Sequence, residues 1–328
     1  MPDGRQERRG GHDVSSPSGP PEIVGLGMAT VDLMALVPRL PGPDEVYEID
    51  ELVVEGGGPV ASALAAASRL GAHAALVGST DVSTWGELIV AGLRSCRVNV
   101  DHLLRRAEGS APRSVILVEA SSGRRSILYN PGSVSSPKPD ELPQQLISSA
   151  RVLHLDGFHA ESALAAASLA RSEGVLVSLD GGAGVSWPGL EDLLPLVDVL
   201  IVARAFALEQ TGIEEERGAI EALARHGATH VVVTDGERGA WSLVDGVQRH
   251  ANAFDVDVVD TTGAGDAFHG GYLHALLRGH DPEVCLTRAS AVAALACTRL
   301  GGRAGLPSDD QLDAFLLSHC PGFAPLQR

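Results

Sequence analysis

Aromatic residues are scarce in this chain: six Phe, three Tyr and three Trp among 328 residues. Small apolar residues take their place, as expected where Ala-rich helices pack on buried strands. Cysteine is scarce too. Cys96, Cys285, Cys297 and Cys320 are scattered, with no Cys-x-x-Cys pair. That argues against a thiolate zinc site or a disulfide frame and reads as reduced thiols in a cytoplasmic protein. The histidines include no His-Glu-x-x-His, and His269 and His274 share a helix-like stretch without metal-site spacing, so both read as core residues. No apolar run reaches membrane-spanning length, and no membrane partner is expected. Cations are outnumbered, 25 Lys and Arg against 42 Asp and Glu, for a net charge of −17. Such a surface repels phosphate backbones and argues against a nucleic-acid partner, while leaving room for a single nucleotide. The absence of any Gly-x-x-x-x-Gly-Lys-Ser/Thr argues against a P-loop enzyme.

Residues 1–21 are rich in Gly, Pro, Ser and Arg, lack a signal-peptide apolar core, and are expected to form a disordered extension. From residue 22 onward one α/β domain is expected. Short apolar runs at Ile23–Leu26, Ala74–Gly78, Arg151–Leu155, Val175–Leu179, Val199–Val202 and His230–Thr234 read as strands buried on both faces. Helical spacing occurs at Val60–Leu70, Trp85–Arg94, Ser162–Ser172, Glu214–His226, Gly265–Arg278, Pro282–Arg299 and Ser308–Ser318. This alternation predicts a doubly wound, mostly parallel sheet with right-handed crossovers. Two stretches, 37–55 and 114–129, look like strands without helices between them, with Ser121-Ser122-Gly123 as a hairpin turn. They predict a small β-sheet, serving as a lid over a cleft or as a dimer interface. The heptapeptide Ser-Ala-Leu-Ala-Ala-Ala-Ser, at 62–68 and again at 162–168, has differing flanks and reads as convergence of two Ala-rich helices.

Residues 260–268, Asp-Thr-Thr-Gly-Ala-Gly-Asp-Ala-Phe, carry most of the chemistry. A strand-like stretch, Phe254–Val259, leads into them and a helix follows. Gly263, Ala264 and Gly265 then fall at a helix N-terminus, where free amides and the helix dipole make an anion site. Asp266 adds a carboxylate there, suited to taking a proton from a hydroxyl that attacks a phosphoryl group. An isolated Gly-x-Gly-Asp would be an ordinary helix cap. A second glycine-rich element, Gly56-Gly57-Gly58-Pro59 before a small-residue helix, changes that balance.

Together the two elements resemble the ribokinase-like (PfkB) carbohydrate kinase family across residues 22–318. The glycine loop runs into a helix ending Arg69-Leu70-Gly71. Asp260-Thr261-Thr262-Gly263-Ala264-Gly265-Asp266 matches the C-terminal signature, and Thr234-Asp235-Gly236-Glu237-Arg238-Gly239 the nucleotide-side turn. The stretch 297–305 looks most like the sulfofructose kinase and ketohexokinase-like branches. The resemblance implies Asp266 as catalytic base and Gly263, Ala264 and Gly265 as anion hole. It implies Asp32, Gly57 and Gly58 on the sugar, and Thr234, Gly236 and Gly239 on ATP. A monovalent cation, K⁺, would be held by Asp260, Thr262, Ala296, Arg299 and Gly301, mostly through carbonyls.

Two departures stand out. Ser62 occupies the place of a sugar-binding Asn, and the Asn-x-x-Glu that helps order Mg²⁺ and phosphate falls on Ala203 and Phe206. Asp156, after the Arg151–Leu155 run, is placed at the cleft as a further substrate residue. Arg124 and Arg125 stand in the expected lid, where an anionic substrate would meet them, although hairpin arginines are usually only solvated. The reading is an ATP-dependent kinase acting on a hydroxyl, primary for preference, of a small sugar, as a homodimer formed through the lid. A nucleoside kinase of the same fold and a catalytically weak nucleotide- or sugar-binding protein are the alternatives. Gly25-Leu26-Gly27 also prompts a dehydrogenase reading, weakened by Thr30 where the third glycine belongs.

Overall fold

The computed structural model describes residues 19–182 and 187–320. The expected extension lies mostly outside those residues. In chain order, β1 (Ile23–Leu26), β2 (Thr30–Val37) and β3 (Leu52–Gly57) precede α1 (Pro59–Arg69). Then come β4 (Ala74–Asp81), α2 (Thr84–Ser95), β5 (Leu103–Arg106), β6 (Arg113–Glu119) and β7 (Arg125–Asn130). The middle of the chain holds α3 (Gln144–Ser148), β8 (Val152–Leu155), α4 (Ala160–Ser172), β9 (Leu176–Asp180), α5 (Leu190–Leu193) and β10 (Val199–Ala203). After α6 (Arg204–Thr211) and α7 (Glu216–Ala224) follow β11 (His230–Thr234), β12 (Ala240–Val244) and β13 (Val247–Ala251). The described chain closes with α8 (Ala264–Leu277), α9 (Pro282–Ala296) and α10 (Asp309–His319).

Nine strands form one sheet in the order β13-β12-β11-β10-β9-β8-β1-β4-β5, parallel except for β12 and β13. Both faces are covered, which explains the unbroken apolar runs. Ile23 of β1 joins the layer that holds Val60, Leu64 and Tyr272, while its neighbours Val24 and Leu26 join the layer with Leu153, Ala166 and Phe206. Helices α1 and α8 approach so closely that a Cβ on Gly270 would come within 2.3 Å of the Ala63 carbonyl oxygen. Asp281 caps α9 by accepting from Glu283 and Val284 N–H, with Pro282 at the first position.

The four remaining strands form a second sheet, β3-β2-β6-β7. Its strands differ from the expected 37–55 and 114–129. The first pair is Thr30–Val37 and Leu52–Gly57, and 38–51 forms no strand; in its first part Pro38, Pro41 and Pro43 offer no ladder donors. The hairpin turn falls at 121–123 as expected, with Gly123 at φ 65°. Register gives this sheet two unlike faces. Glu55, Asp32, Ser114 and Tyr129 pair in one row across it. The next row is Val54, Leu33, Val115 and Leu128, of which Val54, Val115 and Leu128 are exposed. Among the described residues no helix is long and apolar enough to cross a membrane.

Candidate active site

The stretch expected as a strand at Phe254–Val259 is irregular, since no neighbouring strand pairs with it. It is tied instead to the end of α9, where Val259 and Asp260 N–H both donate to the Cys297 carbonyl, at 2.9 and 3.2 Å. Asp260 is fully buried, and its two carboxylate oxygens accept from Thr262 N–H at 2.8 Å and Gly301 N–H at 3.0 Å. Gly263 then caps α8 with φ 73°, and a Cβ there would sit 2.9 Å from the Gly302 Cα. Only glycine meets both demands. The Ala264 N–H leans to the Thr261 carbonyl at 3.3 Å, whereas Gly265 and Asp266 stand in the first helical turn, whose amides lack intrahelical acceptors. Space in front of Gly265 is open: a Cβ added there would meet nothing within 4 Å. These helix-start amides, with the open space before them, fit an anionic group such as a nucleotide's terminal phosphate.

Asp266 is half-buried at the edge of this opening, ringed by protein. Burial first, then the negative charge of Asp180, pushes its carboxyl up to about 7, against the opposing pull of His269, Arg125 and Arg303.

On the other side of the cleft, Asp32 accepts from Thr30 Oγ1 at 2.9 Å, and burial raises it, opposed by the Thr30 and Ser114 hydroxyls and by Arg303. Gly57 lies against it so tightly that a Cβ would come within 2.0 Å of Asp32 Oδ2. Gly58, at φ 96°, is pressed against the Met28 carbonyl. Asp32, Gly57 and Gly58 are thus brought together. Asp156 stands beside the same loop: its oxygens accept from Met28 N–H at 2.8 Å and Phe158 N–H at 3.1 Å, and burial pushes it up to about 7. The Ser62 hydroxyl is 2% exposed and accepts from Arg303 Nε at 3.2 Å.

Arg303 is the residue the sequence reading missed. Its Nη2 donates to the Gly57 carbonyl at 2.8 Å and its backbone N–H to Glu55 Oε2 at 3.1 Å. Nearly buried among Glu55, Asp32 and Asp266, it offsets their charges. Arg125 donates to Thr261 Oγ1 at 2.9 Å, and Thr261 bonds back to the Gly123 carbonyl, so the β6–β7 turn rests on the loop that precedes α8. Arg124 is exposed, its backbone N–H donating to Ser122 Oγ.

Thr234 ends β11 beside Ala203 of β10. Gly236 and Gly239 flank a tight turn at φ 56° and 87°, and a Cβ on Gly239 would strike the Ala251 carbonyl at 2.0 Å. Phe206 is fully buried against Trp187 and the Gly181 backbone, so neither it nor Ala203 presents a donor to a divalent ion. Among the described residues no three His, Cys, Asp or Glu cluster as a metal site. The positions expected to help hold Mg²⁺ do not fit it. A monovalent cation fits better: Thr262 Oγ1 is buried without a partner next to Asp260, and Gly301 adopts φ 114° with Glu55 Oε2 2.3 Å from where a Cβ would stand. Ala296 ends α9 within the same turn region, and Arg299 follows it.

The family model for pfkB family carbohydrate kinase matches residues 21–309, and the chain belongs to that family. It is 30% identical over 295 residues to an ATP-dependent ribose-1-phosphate kinase of Halopiger xanaduensis, covering 90% of this chain and 97% of that one. It is 26% identical over 287 residues to a nucleoside kinase of Methanothermobacter thermautotrophicus, covering 87% and 92%. The fold matches a ribokinase II candidate from E. coli, solved in complex with ATP and Mg²⁺, with TM-score 0.81 and 20% identity over 91% of this chain and 100% of that one. The expected ribokinase-like architecture, a large mostly parallel sheet with a smaller one beside it, is therefore the observed one.

Proposed function

We propose that the protein transfers the terminal phosphoryl group of ATP to a hydroxyl, primary for preference, of a small sugar or sugar derivative. The observation that carries this reading is Asp266: a carboxyl raised to about 7, standing in the first turn of α8 beside unpaired amides and open space. A base titrating near neutrality is matched to removing a hydroxyl proton as the phosphoryl bond forms. Gly263, Ala264 and Gly265, with the Asp266 amide, would receive the phosphoryl oxygens, and developing charge there is stabilised by groups already in place. Asp32, Gly57, Gly58 and Asp156 would bind the sugar, with Ser62 supporting the loop through Arg303. Thr234, Gly236 and Gly239 would line the ATP side. Asp260, Thr262, Ala296, Arg299 and Gly301 would hold K⁺. ATP supplies the activated phosphoryl; Mg²⁺ would be held by phosphate and water.

The row Glu55-Asp32-Ser114-Tyr129 is polar, which favours sugar hydroxyls over a nucleobase platform. The small sheet would act as lid, and its exposed apolar row would seat a second copy of the chain. Coupled ADP release across ketoses, aldoses, sugar acids, nucleosides and ribose 1-phosphate identifies the acceptor. Asp266→Asn should abolish that release while calorimetry still shows ATP binding; undiminished turnover would remove Asp266 from the role of base.

A further inference from the structure

We propose that Asp180 and His269 are positioning residues for the transfer, a buried carboxylate–imidazole pair behind Asp266 that sets how readily its carboxyl holds a proton. The inference rests on reading Asp266 as the base. Asp180 ends β9 at the carboxyl edge of the parallel sheet, and its Oδ1 accepts Gly182 N–H at 2.7 Å. Its Oδ2 lies 3.4 Å from His269 Nε2. His269 follows Asp266 by three residues on α8, which places the two side chains one turn apart on the same side of the helix. Asp180 and His269 are 7% and 4% exposed. His269 Nδ1 has no hydrogen-bond partner, which leaves the Asp180 carboxylate as the ring's polar contact.

The surroundings isolate this pair. His154 of β8 packs its ring 5.2 Å from that of His269, with its Nδ1 on Ser178 Oγ at 3.1 Å. Burial, with His269 as the second cause, pushes His154 down to about 3, so it stays neutral. Burial also works against the Asp180 charge, but His269 and the Gly182 amide outweigh it and hold that carboxyl below its ordinary range. The charged groups facing Asp266 are Asp180 from β9, His269 from its own helix, Arg125 from β7 and Arg303 from beyond α9; Asp156, just after β8, senses Asp180 as well. Asp180 is the anion of that set, and His269 is the group placed to screen it. A buried pair of this kind is a weak source of stability compared with apolar packing. Its placement behind the base gives it a different use.

The test is the titration of the Asp266 carboxyl followed by ¹³C NMR in the free protein, assigned with Asp266→Asn. Asp180→Asn should lower its midpoint by about one pH unit, the order of effect of a neighbouring charge, and His269→Gln should move it upward. The double variant should return near wild type. The acid limb of kcat/KM for ADP release, with ribose 1-phosphate as acceptor, should move the same way. Shifts in one shared direction, or none in either variant, overturn the proposal. Should His269→Gln fail to fold, the downward shift in Asp180→Asn remains decisive. If the titration responds as stated while Asp266→Asn keeps full turnover, the base assignment fails and the electrostatic pair stands. If Asp266→Asn is inactive yet the titration of Asp266 is unmoved by either Asp180→Asn or His269→Gln, only the pair is refuted.

Discussion

Removing the guanidinium of Arg303 would strip the Gly57 carbonyl and the Ser62 hydroxyl of their donor and leave Asp32 and Glu55 facing each other unopposed. An uncompensated buried charge typically costs about 3–5 kcal/mol, so Arg303→Met should lower the unfolding free energy on that scale, seen as a lower denaturant midpoint. Arg303→Lys, which keeps the charge and loses the fork, should fall between. A midpoint unchanged in both would show that the guanidinium carries no load. None of this was legible in the sequence, because Arg303 lies 241 and 246 residues from the groups it holds. The position of Asp266 in the first turn of α8, by contrast, was legible, since a helix start is written in contiguous residues. His269 read as a core histidine and is buried, and only the fold, which brings α8 to the end of β9, shows that it faces Asp180.

Elements were legible where burial is symmetric. Six of the nine main-sheet strands, β1, β4 and β8 to β11, appear as apolar runs because both faces are covered, and those six match expectation within a few residues, whereas β5, β12 and β13 were not expected. Strand β2 went unseen because its polar Asp32 belongs to a row formed with three other strands, and no local period records that. The hairpin β12–β13 had a readable cue that was passed over: Asp245-Gly246, both at positive φ, is the two-residue turn that joins such strands. The small sheet also carries an expectation of its own. With Val115 and Leu128 exposed on one face, a second copy seated there would be expelled by charge. Leu128→Asp with Val115→Asp should turn a dimeric species into a monomer by light scattering; a wild-type monomer, or an unchanged mass in the variant, would exclude this face.

Across the whole molecule, buried groups of opposite sense shape the response to pH. Asp156 is raised by burial to about 7, so between pH 7 and 4 the folded state takes up a proton that the unfolded state does not, and folding gains. His154 and His274, lowered by burial to about 3, act the other way: below pH 6.5 the unfolded state takes up protons first, and folding loses. Each contributes about 1.4 kcal/mol per pH unit while it titrates in one state alone. One such carboxyl against two imidazoles leaves a net loss, so the wild-type melting temperature should fall from pH 6.5 to 4.5. Asp156→Asn removes the favourable partner, so its melting temperature should fall more steeply over that interval. A variant curve parallel to wild type would contradict the assignment.

Three consecutive residues, 301 to 303, meet both ends of the cleft. Gly301 bonds to Asp260, Gly302 presses on Gly263, and Arg303 grips the Gly57 carbonyl. On the proposed assignment, the acceptor and donor ends of the site share a single strut. A sugar that shifts the glycine loop would then pull on the phosphate cradle through it, coupling the two occupancies mechanically without any large swing of the chain.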